Sequence, residues 1–225
     1  MKIGILITGH PPDELMQGGT YDQYFERLLQ GHGFTFQGWP VVDGIFPDSV
    51  TDADGWLITG SKHGAYEDHD WIPPLEDFIR EAYDANRPMI GVCFGHQIIA
   101  QAMGGRVEKF SGGWSVGRTE YEMDGKSVAI NAWHQDQVVE KPATAQTIAR
   151  SDFCQHAGLL YGDRIWTIQP HPEYGADFID GLIRTRGKGL VPDALLASAT
   201  DLLAHPTDSD LVARKMAAFF KKERA

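Results

Sequence analysis

The sequence predicts an α/β fold, an open and mostly parallel sheet with helices on both faces and a small antiparallel extension. Three observations predict it. From the N-terminus to Met103, short apolar runs bounded by glycine alternate with amphipathic stretches, and runs that are apolar throughout belong to strands buried on both faces. Between Arg106 and Ala132 the helical rhythm gives way to β-type residues separated by Gly112-Gly113, Gly117 and Asp124-Gly125. From Tyr174 onward the pattern turns helical again.

In chain order, strands are expected at Lys2 to Thr8, Phe34 to Trp39, Gly55 to Thr59, Pro88 to Val92, Ser127 to Ala132, Thr144 to Arg150 and Arg164 to Ile168. A helix from Tyr21 to Gln30 sets Tyr24, Leu28 and Leu29 at helical spacing, so these residues read as core. A second helix, Pro73 to Ala85, opens with prolines suited to a first turn. A third, helix-like stretch covers Gln97 to Met103. Asp124-Gly125 is the turn chemistry of a tight hairpin within the antiparallel extension. The last helices are expected at Ala176 to Thr185, Pro192 to Thr200 and Asp208 to Lys222, packing on the sheet through Phe178, Ile179, Leu182 and Ile183.

Composition narrows the function. The 225 residues are 42% hydrophobic and 11% aromatic, enough for one domain spanning 1–225 with its own core. The formal charge of −11 comes with scattered basic residues, which argues against a nucleic-acid partner because phosphate contacts need clustered Lys and Arg. The apolar N-terminus is short and runs into His10-Pro11-Pro12-Asp13-Glu14, so it reads as the first buried strand and not as a leader. No run approaches membrane-spanning length. Two cysteines make no disulfide framework in a chain of this size, and a reducing cytoplasm is the expected location.

One of those cysteines is the most informative residue. Cys93 stands in Gly91-Val92-Cys93-Phe94-Gly95-His96-Gln97, where an apolar strand meets a helix-like stretch. A sharp strand-to-helix turn lifts its central residue out of the sheet, and a glycine on each side removes Cβ atoms that would collide in the bend. The sulfur then faces the free amides of a helix N-terminus, which favour negative charge and offer donors to a substrate oxyanion. Such a nucleophile needs a histidine for its proton, and the histidine needs an acceptor to hold its ring. His171-Pro172-Glu173 supplies both just past the last predicted strand. Proline biases His171 toward extended backbone, which sends the side chains of His171 and Glu173 to one side.

Gly-x-Cys-x-Gly-His-Gln followed by a post-strand His-Pro-Glu resembles the triad-type class I glutamine amidotransferases, over roughly Ile3 to Tyr174. Within them the chain is most similar to stand-alone relatives of the amidotransferase domain of GMP synthase. The resemblance implies a flavodoxin-like sheet and a catalytic triad of Cys93, His171 and Glu173. It implies oxyanion amides at Gly60, in Ile58-Thr59-Gly60-Ser61-Lys62, and at Phe94. Ser61 and Lys62 depart from the Gly-Pro-Gly or Gly-Gly-Pro that members more often carry there. It also assigns Ser61, Gln97, Trp133, His134 and Gln135 to the substrate site, with Trp114-Ser115-Val116-Gly117 lining it or a neighbouring subunit-facing surface. His134 is the rival base, ranked second because Asp136 lies among flexible polar residues.

The implied reaction is hydrolysis of the glutamine side-chain amide through a γ-glutamyl thioester, releasing glutamate and supplying ammonia to a separate acceptor-activating synthetase subunit. No phosphate-binding glycine loop is present, since Ser111-Gly112-Gly113 lacks the residues that complete one. An autonomous γ-glutamyl hydrolase, like the plant γ-glutamyl peptidases, is the alternative. A relative that binds a metabolite or partner without catalysis is a third reading, from another class. No cofactor is expected. No metal is expected either, because His63, His69 and Asp70 lack the paired spacing of a zinc site.

Overall fold

The computed structural model describes residues 1–224. Its main feature is a nine-stranded mixed sheet with helices on both faces. The strands and helices in chain order are β1 (Lys2–Leu6), α1 (Tyr21–Leu28), β2 (Thr35–Trp39), β3 (Gly55–Ile58), α2 (Ile72–Asp84), β4 (Met89–Val92) and α3 (Phe94–Ala102). There follow β5 (Arg106–Lys109), β6 (Ser115–Met123), β7 (Lys126–His134), β8 (Asp136–Glu140), β9 (Gln146–Arg150), β10 (Gly158–Tyr161) and β11 (Ile165–Ile168). The chain ends with α4 (Ala176–Leu182), a π-helical turn over Ile183–Gly187, α5 (Asp193–Asp201) and α6 (Ser209–Lys221).

The sheet order is β2-β1-β3-β4-β11-β10-β9-β6-β7, with β5 and β8 paired separately. The five strands from β2 to β11 are mutually parallel. From β11 onward every pairing is antiparallel. The hairpin predicted at Asp124-Gly125 joins β6 to β7, with Met123 opposite Lys126 and both turn residues at positive φ. The expected architecture is therefore present, and its antiparallel part runs to four strands in the main sheet.

Alternation along the central strands divides the core. Trp56 and Ile58 of β3 join α2 and α3 residues such as Leu75, Ile79 and Ile99 on one face. Leu57 points the other way, into a cluster with Phe25 of α1 and Val212, Met216 and Phe220 of α6. A third cluster, Tyr21, Tyr174, Phe178, Leu182 and Leu196, ties α4 and α5 to the start of α1. The parallel strands β1, β3, β4 and β11 share one carboxyl edge, and open α/β sheets gather their ligands there. Because β3, β4 and β11 are neighbours, the loops that follow them emerge side by side.

Candidate active site

Cys93 is the single residue between β4 and α3. Its backbone, at φ 54° and ψ −105°, lies where non-glycine residues are rarely found, a strain of about 1–3 kcal/mol that the surroundings must sustain. The flanking glycines show how they do so. A Cβ on Gly91 would sit 2.5 Å from the Gly95 carbonyl oxygen, and one on Gly95 would sit 2.3 Å from that of Ile58. The Cys93 amide donates to Ile168 O at 2.9 Å, tying the turn to β11, and Gly95 N donates to Thr59 O at 3.1 Å, tying it to the loop after β3.

The other side chains arrive from those two neighbours. Past β11, His171 is held by its amide, which donates to Asn131 O of β7 at 2.8 Å. Its Nδ1 lies 2.7 Å from Glu173 Oε1, and both side chains are almost wholly buried. Burial alone would lower the imidazole pKa. The negative charges of Glu173 and Cys93, with hydrogen bonds to both, outweigh it and push His171 up to about 10. Gly60 leaves room for this ring, since a Cβ there would meet His171 Cε1 at 2.9 Å and Cys93 Cβ at 3.7 Å. The buried Thr8 hydroxyl, two residues past β1, lies 3.0 Å from both Thr59 O and Gly60 O and sets this loop.

A cavity of about 280 Å³ opens onto Cys93 and His171. Ser61, Gln97, Trp133, His134 and Gln135 line it. Gln97 has its amide nitrogen committed within the protein, to Asp136 O at 2.9 Å and Gln169 Oε1 at 3.0 Å. His134 also lines the wall, yet its Nδ1 donates to the Asp136 main-chain oxygen at 3.2 Å, and burial drives its pKa down to about 3. The Asp136 carboxylate accepts from the Tyr66 hydroxyl at 3.0 Å. Phe94 is the first residue of α3 and is fully buried.

Sequence reasoning missed three contributors. Tyr174 stacks flat on the His171 ring, centroids 4.0 Å apart and 9° from parallel, and shares a hydrogen bond with Tyr21. Asn131 grips the same turn twice, its Nδ2 donating to Tyr174 O at 2.8 Å. The end of α4 and the segment that follows it reach back to the cavity through Leu182 and through Arg186 and Leu190. A tyrosine directly after His-Pro-Glu was visible in the sequence, but its stacking partner was not. His63, Glu67 and His69 also gather, although Asp70, grouped with the histidines in the sequence, is not among them. Among the described residues no helix is long and apolar enough to cross a membrane.

The sequence and the fold match a known family. The family model for "Glutamine amidotransferase class-I" matches residues 45–178. The chain belongs to that family, and its reaction class is that of a class I glutamine amidotransferase-like hydrolase. Among relatives, γ-glutamyl peptidase 4 of Arabidopsis thaliana is 34% identical over 181 residues, covering 73% of this chain and 72% of the peptidase. The glutamine-hydrolysing GMP synthase of Clostridium novyi is 28% identical over 166 residues, covering 69% of this chain but 31% of the synthase. The crystal structure of a glutamine amidotransferase from Thermotoga maritima superposes with a TM-score of 0.76 over 98% of each chain, at 18% identity, a likeness of fold.

Proposed function

We propose that the protein hydrolyses γ-glutamyl amide bonds, with Cys93 as nucleophile, His171 as proton carrier and Glu173 as the anchor of His171. The observation that carries this reading is the buried His171, held by Glu173 at 2.7 Å on one nitrogen and packed beside Cys93 around Gly60. The Cys93 sulfur attacks the γ-carbonyl carbon and the carbonyl electrons move onto oxygen. Amides near Gly60 and at Phe94 receive that oxyanion. The imidazolium of His171 gives its proton to the departing nitrogen as the C–N bond breaks, leaving a γ-glutamyl thioester and a free amine. Neutral His171 then takes a proton from water, whose oxygen opens the thioester and frees glutamate. Glu173 offsets the charge on His171 whenever the ring is protonated.

Two leaving groups fit this chemistry. The amine of an amino acid or peptide is favoured by the alignment with plant γ-glutamyl peptidases, which spans nearly three quarters of both chains. Ammonia from glutamine, passed to a separate synthetase, is the second reading, supported by the alignment with GMP synthase. The test is a panel of γ-glutamyl dipeptides and glutamine presented to the purified protein. Unaided turnover of the dipeptides is expected, with Cys93→Ala folded and slower by at least about 10⁴-fold. Near-parental activity of Cys93→Ala removes the proposal. Turnover of glutamine alone, and only with a synthetase added, moves the reading to the second leaving group.

A further inference from the structure

The geometry points to a second site, on the wall of the cavity, where His63, Glu67 and His69 bind a divalent transition-metal ion of the zinc class. Each residue offers one ligand atom, and the three lie within 4.8 Å of one another. Glu67 Oε2 is 3.3 Å from His63 Nδ1 and 2.8 Å from His69 Nε2. Around a tetrahedral zinc with bonds near 2.0–2.1 Å, ligand atoms stand about 3.4 Å apart, so an ion is accommodated with small adjustments of the side chains. Two imidazoles and one carboxylate suit zinc, nickel or copper better than magnesium or calcium, which prefer all-oxygen shells.

The trio is held in place. The His63 amide donates to Ser61 Oγ at 3.2 Å, and successive turns join Glu67 N to Gly64 O, His69 N to Glu67 O and Ile72 N to His69 O. The His63 and His69 rings meet edge to face at 4.3 Å, and His69 lies within 15° of parallel to Trp71. Ligands must be neutral imidazole and ionised carboxylate for the ion to bind.

The location gives the site a consequence. His63 and Glu67 line the same cavity as Cys93 and His171, whereas His69 lines a neighbouring surface depression with Asp70 and Trp71. Three protein ligands leave a tetrahedral ion one position for water or an anionic or thiolate group of a molecule in the cavity. The site does not depend on the hydrolytic reading, since none of its ligands belongs to the proposed triad.

The experiment is calorimetric titration of the untagged Cys93→Ala chain with zinc, the substitution removing a competing thiol, together with cobalt titration followed by visible absorption. One zinc per chain is expected, with a tetrahedral cobalt spectrum and no response to magnesium. His69→Ala and Glu67→Gln should each weaken binding by about tenfold or more, since loss of even an outer partner of a ligand costs that much. With Cys93 restored and metal absent, His69→Ala should keep parental hydrolysis, showing that the chain remains folded. Absence of zinc binding, or affinity unchanged in both variants, overturns the proposal.

Discussion

Two histidines on the wall of one cavity, His134 at the end of β7 and His171 past β11, are equally buried and opposite in charge preference. Burial takes His134 down to about 3, while His171 is raised to about 10 against the same force. Each has a carboxylate residue two positions further on, Asp136 and Glu173. Glu173 turns back to its histidine at 2.7 Å. Asp136 gives His134 only its main-chain oxygen and sends its side chain to Tyr66. A buried imidazole is thus charged or neutral according to the negative groups that face it: Glu173 and Cys93 both raise His171, and a carbonyl dipole does not substitute for them at His134. Spacing to the carboxylate is the same in the chain, so the direction of the local backbone, together with the placement of Cys93 beside His171 alone, makes the difference.

Glu173→Gln attacks the comparison most directly, because it leaves His171 with a neutral partner like that of His134. Hydrolysis should fall about 10³–10⁴-fold, as when a triad carboxylate is replaced by its amide, and the His171 ring, followed by NMR titration, should fall from its raised pKa by the part that Glu173 supplies, with Cys93 still in place. A loss below tenfold would mean that the carboxylate does not govern the ring. Gly95→Ala tests what brings sulfur and imidazole together. Its new methyl would press on Ile58 O, with an expected loss of about 1–3 kcal/mol or more in denaturant unfolding. Parental stability would mean that the turn relaxes more freely than the close contact implies.

The two rings should also leave opposite marks on stability against pH. His171 has a folded pKa above its unfolded value near 6.5, so its contribution is complete below about 6.5 and is lost as pH rises toward 10. His134 has a folded pKa below its unfolded value, so stability falls as pH drops from about 6.5 toward 3. One proton changes the slope by at most about 1.4 kcal/mol per pH unit. His134→Gln should flatten the acid limb in part, since buried His96, also near 3, remains, while His171→Gln should flatten the alkaline limb. Thermal melts across pH read both, and identical limbs in the two variants would contradict the assignment.

Smaller effects complete the series. Tyr174→Leu removes the ring stacked on His171, a contact worth about 0.5–1.5 kcal/mol beyond its area. Steady-state kinetics should show kcat reduced about tenfold or less, by an amount that matches. The kcat of His134→Gln should change least of all, since this ring carries no proton in the proposed cycle.

The central parallel strands β3 and β4 were legible because they are apolar throughout and end at a turn. Most of the strands that went unnamed lack that signature. In β5, Arg106, Glu108 and Lys109 are exposed and only Val107 is buried. β6 carries charges along one face, while β10, Gly-Leu-Leu-Tyr, is as short and apolar as β3 and β4 and was simply passed over. The helix after Cys93 begins at Phe94 and not at Gln97, because the strained cysteine itself ends the strand, and no propensity encodes that. In the site, His171 and Glu173 were readable as neighbours in sequence. Tyr21, Asn131 and Arg186 were not, because their roles arise from contacts across long stretches of chain.

By itself, the sequence determined the α/β architecture, the glycine-flanked thiol at a strand end, and the histidine with its carboxylate after a later strand. All three are local patterns, written in apolar periodicity, turn residues and short spacing. Only the tertiary structure decided that β4 and β11 lie side by side, that Glu173 and not Asp136 faces a histidine, and that His63, Glu67 and His69 share one point. Those outcomes depend on sheet order and on the directions of side chains from separate loops, which packing of the whole chain selects.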